Sequence, residues 1–417
     1  MSTAIVVELP TAEAFWTSRP ILEHLLTFAR ARRAGPWAVL GSTCARAVAT
    51  LEPNVMLPPT VGAPASLNLF VALVGRSGGG KGAAEGASRD AVRFVDHNGH
   101  PIIVDEFPPG SGEGIARTFR PAGTDDNEPN PRSRALLTAP EVDTLTALGS
   151  RQGATLMPEL RKVWMGEQLG FNNASKATRS ILAAHSYRAS LIVGVQPIKA
   201  GPLLDDADGG TPQRFKFLPV GDPDAPDVAP DTPEPFIVKA PRWGAETVHL
   251  DIPDIAREAM DRHRLATLRG EDVDPLDGHR MLARLKMAAA LMILDGRTVV
   301  TDEDWHLAGV VTRVSDRTRV GIETAVAERA RAVSRARAHE QADREGIVQD
   351  RAEDRLKRNL RGRILRRLEK VGGSTLRDLR HSVIDSKTRG VFNTVMADLL
   401  EEKLIVEIDG RFHLSTA

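Results

Sequence analysis

A glycine-rich segment that ends in a lysine is the part of this sequence whose residue types and spacing most clearly predict chemistry. It reads Gly75-Arg76-Ser77-Gly78-Gly79-Gly80-Lys81-Gly82 and follows an apolar run at residues 67–74. Residues without a Cβ let successive backbone N–H groups turn inward around phosphate oxygens, and a following helix adds its positive end. Lys81 then supplies a mobile charge to the outer phosphates. The segment matches the Walker A pattern and predicts a nucleotide site; the alternative is a Gly-rich turn with an accidental lysine.

The residues assigned to nucleotide contact are Gly75, Ser77, Gly78, Gly79, Gly80, Lys81 and Gly82. Gly82 departs from the pattern, because that position usually supplies a hydroxyl ligand for Mg²⁺. Either a water molecule replaces this ligand or hydrolysis is slow. Ser77, inside the loop, is a weak substitute candidate.

A partner acid is expected after another strand. Residues 135–137 form a short apolar run that leads into Pro140, Glu141, Val142 and Asp143. This order predicts Glu141 near the γ-phosphate as a water activator or metal ligand, with Asp143 in reserve. A surface carboxylate is the alternative.

Two further strands end near polar residues. Gln196 follows the apolar run at residues 191–195, where its amide could sense the γ-phosphate; a capping role is the alternative. Arg214 and Lys216 flank Phe215, so both cations are predicted on one side of a strand with Phe215 facing the core. Two such cations suit a charge-stabilising finger that reaches a neighbouring subunit's nucleotide. A solvated strand face is the alternative.

The elements that must position these residues are predicted as an α/β fold. Apolar positions at helical spacing indicate helices between residues 11 and 51, and short apolar runs at 67–74, 102–104, 135–137, 191–195 and 215–220 indicate strands. Strands that alternate with helices predict a mostly parallel sheet. Residues 219–241 are rich in Pro and Asp and are interpreted as an excursion or linker. Residues 252–344 have a helical pattern, and the charged stretch 325–358 is a solvated helix or a linker.

The last sixty or so residues predict a winged helix-turn-helix. Three helical patterns, the first stopped by Gly372-Gly373 and the second preceded by Ser374 as its N-cap, are followed by two short β-type runs around Asp409-Gly410. Residues 357–417 contain 13 Lys and Arg against 8 Asp and Glu, a net charge of +5. The third helix is expected to expose Lys387, Thr388, Arg389 and Asn393, and the hairpin tip Arg411, to duplex DNA. Docking to a protein is the alternative.

Composition excludes several other classes. The 417 residues carry 55 Lys and Arg and 55 Asp and Glu, so the net charge favours no partner. A single cysteine, Cys44, excludes an intramolecular disulfide framework and a Cys-rich metal site. No apolar stretch is long enough to span a bilayer and the N-terminus lacks the layout of a secretory signal, so we expect no membrane partner and a cytoplasmic location.

Several short motifs in order resemble a family of P-loop ATPases from actinobacterial phages, plasmids and integrated elements, related to hexameric replicative helicases of the RecA-like, RepA or DnaB type. The resemblance runs from Phe15-Trp16 to about Thr318. It is carried by residues 66–70 with 75–82, 110–114, 139–141, 194–197, 210–215 and 300–305. It implies a RecA-like P-loop core with ATP and Mg²⁺ as cofactors and Lys81, Glu141, Gln196 and Arg214 in catalytic roles.

In a RecA-like ring the loops after the strands that bear the acid and the glutamine face the central channel. Here these are residues 166–188 and 198–213, and the first contains Lys176, Arg179, Tyr187 and Arg188. Cations, amides and a stackable ring suit a single-stranded DNA backbone. The second loop is acidic except for Lys199, which favours the first.

These observations predict four regions: a helical N-terminal region (1–62), a RecA-like core (63–245), a helical lid with a charged helix or linker (246–350) and a winged helix (351–417). The predicted function is an ATP-dependent DNA helicase or translocase of a mobile element that works in replication as a homo-oligomeric ring, expected to be a hexamer. The first alternative is a replication initiator or helicase-loader ATPase that binds duplex DNA through the winged helix. The second is a DNA-binding regulator with a vestigial P-loop.

Overall fold

Helices and strands are mixed in the middle of the chain, whereas the elements from residue 254 to 401 are all helices. The computed structural model describes residues 10–121, 130–149, 155–171, 180–204, 206, 209–271 and 278–415. The chain divides into two compact units, Met1–Glu328 and Arg329–Ala417. Among the described residues, none of the helices combines the length and apolar character needed to cross a membrane.

The first unit begins with three helices and contains most of the strands. Up to the middle of the unit the elements are α1 (Ala12–Thr17), α2 (Pro20–Ala31), α3 (Pro36–Ala49), β1 (Val55–Leu57), β2 (Ala65–Ser66), β3 (Phe70–Val74), α4 (Lys81–Ala91), β4 (Val92–Val95), β5 (Glu106–Phe107), α5 (Gly112–Phe119), β6 (Arg134–Ala139), α6 (Val142–Gly149) and α7 (Leu156–Met165). Then follow β7 (Leu169–Phe171), β8 (Ser180–Leu182), β9 (Arg188–Val195), α8 (Gly201–Leu204), β10 (Phe215–Pro219), β11 (Phe236–Lys239), β12 (Val248–His249), α9 (Asp254–Leu268) and α10 (Arg280–Leu294). Short 3₁₀ helices lie at Pro197–Lys199 and Pro212–Arg214.

The remaining elements are α11 (Asp302–Val371), α12 (Leu376–Val383), α13 (Phe392–Glu401), β13 (Ile405–Ile408) and β14 (Arg411–Leu414). The division between the two units falls within α11. The charged stretch 325–358 is therefore helical, and its side chains from residue 329 to 355 are exposed.

A five-stranded parallel sheet forms the centre of the first unit, so the predicted α/β class is confirmed. The strand order is β10-β3-β9-β6-β5. Strand β3 pairs in parallel with β9 on one side and β10 on the other. Alternate residues of β3 enter different cores: Val71 and Leu73 pack on one face, and Phe70, Ala72 and Val74 on the other. Because both faces are covered, the strands are apolar along their whole length.

Two predicted strands differ from the structure. The run at residues 102–104 is not a strand, and Ile103 is 82% exposed; the edge strand is β5 instead. The strand before the glycine-rich loop begins at Phe70, because Asn68 leaves the strand pattern to bond with two other elements. Its amide donates to Val163 O at 2.6 Å and accepts from Ala189 N at 3.0 Å.

The excursion predicted at residues 219–241 also contains regular structure. Strand β11 pairs in parallel with β4, in the register Phe236 with Val92. The earlier part of the segment lies against α2, since Arg30 forms an ion pair with Asp222. The segment is thus fixed on the unit and is not a free linker.

The second unit contains a small core shared by the end of α11, α12, α13 and the β13–β14 hairpin. Gly372, with φ of +71°, ends α11 as predicted. The N-cap of α12 is Thr375 and not Ser374, because the Thr375 hydroxyl accepts from Asp378 N. Asp409 and Gly410 both have positive φ, as the predicted two-residue hairpin turn requires.

Candidate functional site

The glycine-rich loop joins the end of β3 to the start of α4, at the carboxyl edge of the parallel sheet. Gly78 and Gly80 have φ of +72° and +94°, which residues with a Cβ rarely adopt. A Cβ on Gly75 would lie 2.2 Å from Val220 Cγ2, so this position needs glycine for close packing against the end of β10. Within the loop Gly79 N donates to Arg76 O at 3.0 Å, so the positive φ values of Gly78 and Gly80 allow a tight turn between β3 and α4.

Lys81 is the first residue of α4 and its side chain folds back over the loop. Its ammonium donates to Gly75 O at 3.2 Å and to Arg76 O at 3.1 Å. An ammonium has three donors, so one N–H remains for a phosphate oxygen even with both loop bonds in place. Lys81 is half-buried, and an ammonium on a flexible four-carbon stem can exchange these carbonyls for anionic ligands.

Gly194, near the end of β9, brings the loop lysine close to the acid-bearing strand. A Cβ on Gly194 would lie 2.0 Å from Pro140 O and 3.3 Å from Lys81 Cδ. The neighbouring backbone is also joined to the loop, since Gly75 N donates to Val195 O at 3.0 Å. The ends of β3, β9 and β6 thus meet at one place. Gly194 belongs to one of the motifs that carry the family resemblance, but the sequence alone assigned it no role at the site.

Glu141 and Gln196 follow the adjacent strands β6 and β9 and lie in contact. Gln196 Nε2 donates to Glu141 Oε1 at 3.4 Å, and Gln196 is only 7% exposed whereas Glu141 is exposed. The structure therefore brings together Lys81, Glu141 and Gln196, which the sequence predicts at one site. An exposed carboxylate beside a buried amide and a lysine can orient a water molecule or accept a proton.

Asp143, the reserve acid, is engaged with another residue. Lys199 forms an ion pair with it, and the pKa of Lys199 is raised chiefly by this hydrogen bond. Lys199 competes with any cation for the Asp143 carboxylate. Glu141 is therefore the better placed of the two acids to serve as a metal ligand.

The surroundings of Gly82 leave room for a side chain. A Cβ at this position would meet no atom within 4 Å, and Gly82 is exposed in the first turn of α4. Steric exclusion therefore does not account for the missing hydroxyl. Ser77 is exposed in the loop. A magnesium ion here would depend on phosphate oxygens, water and carboxylate oxygen, ligands that Mg²⁺ accepts readily.

The prediction that Arg214 and Lys216 extend outward from one side of a strand is wrong, because both side chains are buried. Arg214 is 9% exposed and donates to Gly209 O at 3.2 Å and Gly210 O at 2.6 Å. Its guanidinium also lies 5.6 Å from the centre of the Trp164 ring. Burial lowers the pKa of Arg214 to about 10.

Lys216 is 3% exposed and its ammonium donates to Thr312 Oγ1 at 3.0 Å. Burial lowers its pKa to about 7, and nearby arginines add to the effect. The alternative of a solvated strand face is also wrong for these two residues. Lys216 instead connects β10 to α11 inside the first unit.

The residues predicted to bind DNA from residues 166–188 are either buried or outside the described part of the chain. Lys176 and Arg179 lie outside the described residues. Two others from the same loop are buried: Tyr187 donates to Glu167 O at 2.7 Å, and Arg188 donates to Ser66 Oγ at 2.7 Å. Neither Tyr187 nor Arg188 can contact DNA in this structure, so their assignment is wrong.

In the second unit, Lys387, Arg389, Asn393 and Arg411 are all exposed, as predicted. Lys387 and Arg389 lie in the turn before α13 and not in the helix, and Asn393 accepts a hydrogen bond from Arg380. Thr388 is fully buried, where its hydroxyl bonds with Asp385, so the expected exposure of Thr388 is wrong.

A comparison of the chain with protein-family models gave no match, and a comparison with curated proteins gave none either.

Proposed function

We propose that this protein is an ATP hydrolase that acts on DNA, with a RecA-like core in the first unit and a winged helix in the second. The observation that carries the proposal is the meeting of Lys81, Glu141 and Gln196 at the carboxyl edge of one parallel sheet. Ligands of open α/β sheets bind at this edge. A glycine-rich loop before a helix makes a triphosphate the best fit.

Each residue has a distinct role in this proposal. The loop N–H groups hold the phosphates and Lys81 neutralises their outer oxygens. Glu141 orients the attacking water and accepts its proton, while Gln196 holds the Glu141 carboxylate and responds to the γ-phosphate. Mg²⁺, when bound, neutralises charge on the phosphates, with Glu141 as the favoured protein ligand and Asp143 in reserve.

Arg214 is left out of the catalytic set. Its guanidinium already bonds to two carbonyls of its own subunit, so it has no free reach toward a neighbour in this structure. We assign it instead the role of holding the turn that precedes β10. An oligomeric ring therefore needs another source of positive charge at its interfaces.

DNA contact is proposed at two places. The exposed residues Lys387, Arg389, Asn393 and Arg411 belong to a region of net charge +5 and would contact duplex DNA. Lys176 and Arg179 remain candidates for single-stranded DNA in the channel of a hexameric ring. The proposed setting is DNA replication in the cytoplasm.

The second candidate is a replication initiator or helicase loader, a nucleotide switch that hydrolyses slowly. Gly82 favours it, because the usual magnesium hydroxyl is absent although space for it exists. The third candidate is a DNA-binding regulator with a vestigial P-loop, and this candidate requires that the protein does not bind ATP.

ATPase assays with and without single-stranded DNA, strand displacement on a forked duplex and mass measurement with an ATP analogue separate these candidates. A motor shows DNA-stimulated hydrolysis, displacement and an ATP-dependent ring. A switch binds ATP and duplex DNA without displacement. Absence of ATP binding by the folded protein would refute both enzymes.

A further inference from the structure

A ligand-sized cleft lies near the amino ends of the sheet strands, away from the glycine-rich loop. Its volume is about 510 Å³, and its wall includes Glu52, Asn54, Arg242 and Trp243. The neighbouring Thr50 carbonyl accepts from Arg134, the first residue of β6. Because the strands are parallel, the cleft is at their amino ends, whereas Lys81 is at their carboxyl ends. The volume is within the range of small-molecule sites.

The cleft presents an aromatic ring on a fixed support. Trp243 is half-buried and packs against the larger hydrophobic core, so part of its ring remains accessible. The following backbone is held by Asn54, whose amide donates to Gly244 O at 2.8 Å and to Glu246 O at 2.7 Å. These two hydrogen bonds fix the backbone next to Trp243, so the position of the indole ring suits stacking of a flat ligand.

The same cleft presents a positive charge that lacks an acidic partner among the described residues. Arg242 is exposed, and its hydrogen bond within that part of the chain joins Nη1 to His97 Nε2 at 3.2 Å. A guanidinium can only donate, so His97 Nε2 is the acceptor of this hydrogen bond. The other N–H groups of the Arg242 guanidinium can donate to an anion.

Two acids, Asp96 and Glu52, also line the cleft. Asp96 Oδ1 accepts from the backbone N–H groups of Asn98 and His100, each at 2.8 Å. Glu52 forms an ion pair with Arg134 at 3.2 Å. Glu52 is thus paired with a cation, Asp96 keeps its negative charge, and Arg242 is the cation of the lining that can pair with an anion.

We propose that this cleft binds a nucleotide of a single-stranded nucleic acid, with its base stacked on Trp243 and its phosphate paired with Arg242. An indole face beside a guanidinium matches the two recognition elements of sequence-tolerant strand binding. The inference goes beyond the proposed function, because the cleft is separate from the ATP site and its occupancy does not require hydrolysis.

Intrinsic fluorescence provides a test on the full chain. All five tryptophans, Trp16, Trp37, Trp164, Trp243 and Trp305, belong to the first unit. A short oligothymidylate added without ATP is expected to quench the fluorescence saturably. Trp243→Phe, which preserves an aromatic ring in the packing, should remove that quenching. Persistence of the full signal in folded Trp243→Phe overturns the proposal, as does absence of quenching in the wild type.

Arg242→Gln tests the phosphate contact at an exposed position where folding is not at risk. The quenching midpoint should move to higher oligonucleotide concentration, and the slope of log affinity against log salt should fall by about 0.7, the contribution of one phosphate on a single strand. Arg262→Gln, an exposed arginine on α9, is the matched control and should change neither quantity. Equal behaviour of the Arg242 and Arg262 variants overturns the assignment.

Two competitors identify the source of the nucleotide. Thymidine monophosphate at the same nucleotide concentration should quench far less than the strand, and an equal midpoint would assign the cleft to a free nucleotide and overturn the strand proposal. Heparin, a polyanion without bases, should not reproduce the quenching. If it does, stacking on Trp243 is refuted. ATPase assays remain independent of these outcomes.

Discussion

Gln196 Nε2 lies 3.4 Å from Glu141 Oε1, a contact between residues that follow two neighbouring strands and are separated by 55 positions in sequence. It joins a buried amide to an exposed carboxylate at the sheet edge where Lys81 also lies. The two side chains therefore lie within hydrogen-bonding distance of each other at this edge. The first two predictions follow from this arrangement.

Lys81→Ala should abolish ATP binding and hydrolysis while the fold remains intact. The lysine is half-buried and contributes two hydrogen bonds to loop carbonyls, but little packing. Binding of a fluorescent ATP analogue and phosphate release measure the effect, with far-ultraviolet circular dichroism as the check on folding. Lys239→Ala, an exposed lysine on β11, is the control and should behave as wild type. Unchanged hydrolysis in folded Lys81→Ala would remove the nucleotide site from this loop.

Glu141→Gln should retain ATP binding but reduce turnover by roughly 10²–10⁴-fold, the usual contribution of a general base. The amide keeps the size of the side chain and can still bond with Gln196, but it cannot accept a proton. Single-turnover hydrolysis measures the chemical step. Asp143→Asn is the control, because Asp143 is already paired with Lys199. If only the Asp143 variant loses turnover, the two acids have exchanged roles.

Gly82→Ser should increase Mg²⁺-dependent hydrolysis, because it supplies the missing hydroxyl in a position that is sterically open. Serine also stabilises a helix relative to glycine by roughly 0.5 kcal/mol, so the free energy of unfolding of each variant must be measured as well. Gly82→Ala separates the hydroxyl from this helix effect, and Gly86→Ser places the same side chain one turn later in equally open space. A gain shared by all three variants would show that helix stability and not metal binding is responsible.

Arg214→Ala should destabilise the first unit by about 1–3 kcal/mol, because the Gly209 and Gly210 carbonyls lose their donor in a buried site. Urea unfolding measures this loss. Mixing Arg214→Ala with Lys81→Ala subunits should restore no activity, since the arginine is engaged within its own subunit. Recovery in mixed assemblies, together with unchanged stability, would instead establish an arginine that acts on a neighbour.

Lys216 should make stability rise with pH. Burial lowers its pKa to about 7 from an unfolded value of 10.5; the nearby Arg280 and Arg319 lower it further and Asp316 opposes them. Between these two values the unfolded chain binds the extra proton, so the free energy of unfolding increases with pH by up to about 1.4 kcal/mol per unit. Below pH 7 both states are protonated and this contribution is constant.

Lys216→Met keeps the apolar stem and removes the titration. Urea unfolding of both proteins from pH 7 to 9 should show a steeper rise for the wild type, and the variant should be relatively more stable at the lower pH. Parallel pH curves for the two proteins would refute a lowered pKa for Lys216.

The sequence by itself determined the features that depend on neighbouring residues. Gly78 and Gly80 specify the left-handed loop before α4, continuous apolar runs specify strands covered on both faces, and Asp409-Gly410 specifies the hairpin turn. These features follow from local steric preference and from hydrophobic patterning, which a single sequence carries directly.

Only the tertiary structure decided which polar residues are buried. Arg214 and Lys216 have the sequence pattern of an exposed strand face, yet a turn and α11 cover them. Asn68 ends its strand because Val163 and Ala189 offer partners far away in the chain. The cleft at Trp243 likewise depends on segments distant in sequence. The spacing of apolar residues predicts which face of a helix or strand is buried. The partner of a buried charged group is instead set by packing between elements that are distant in sequence.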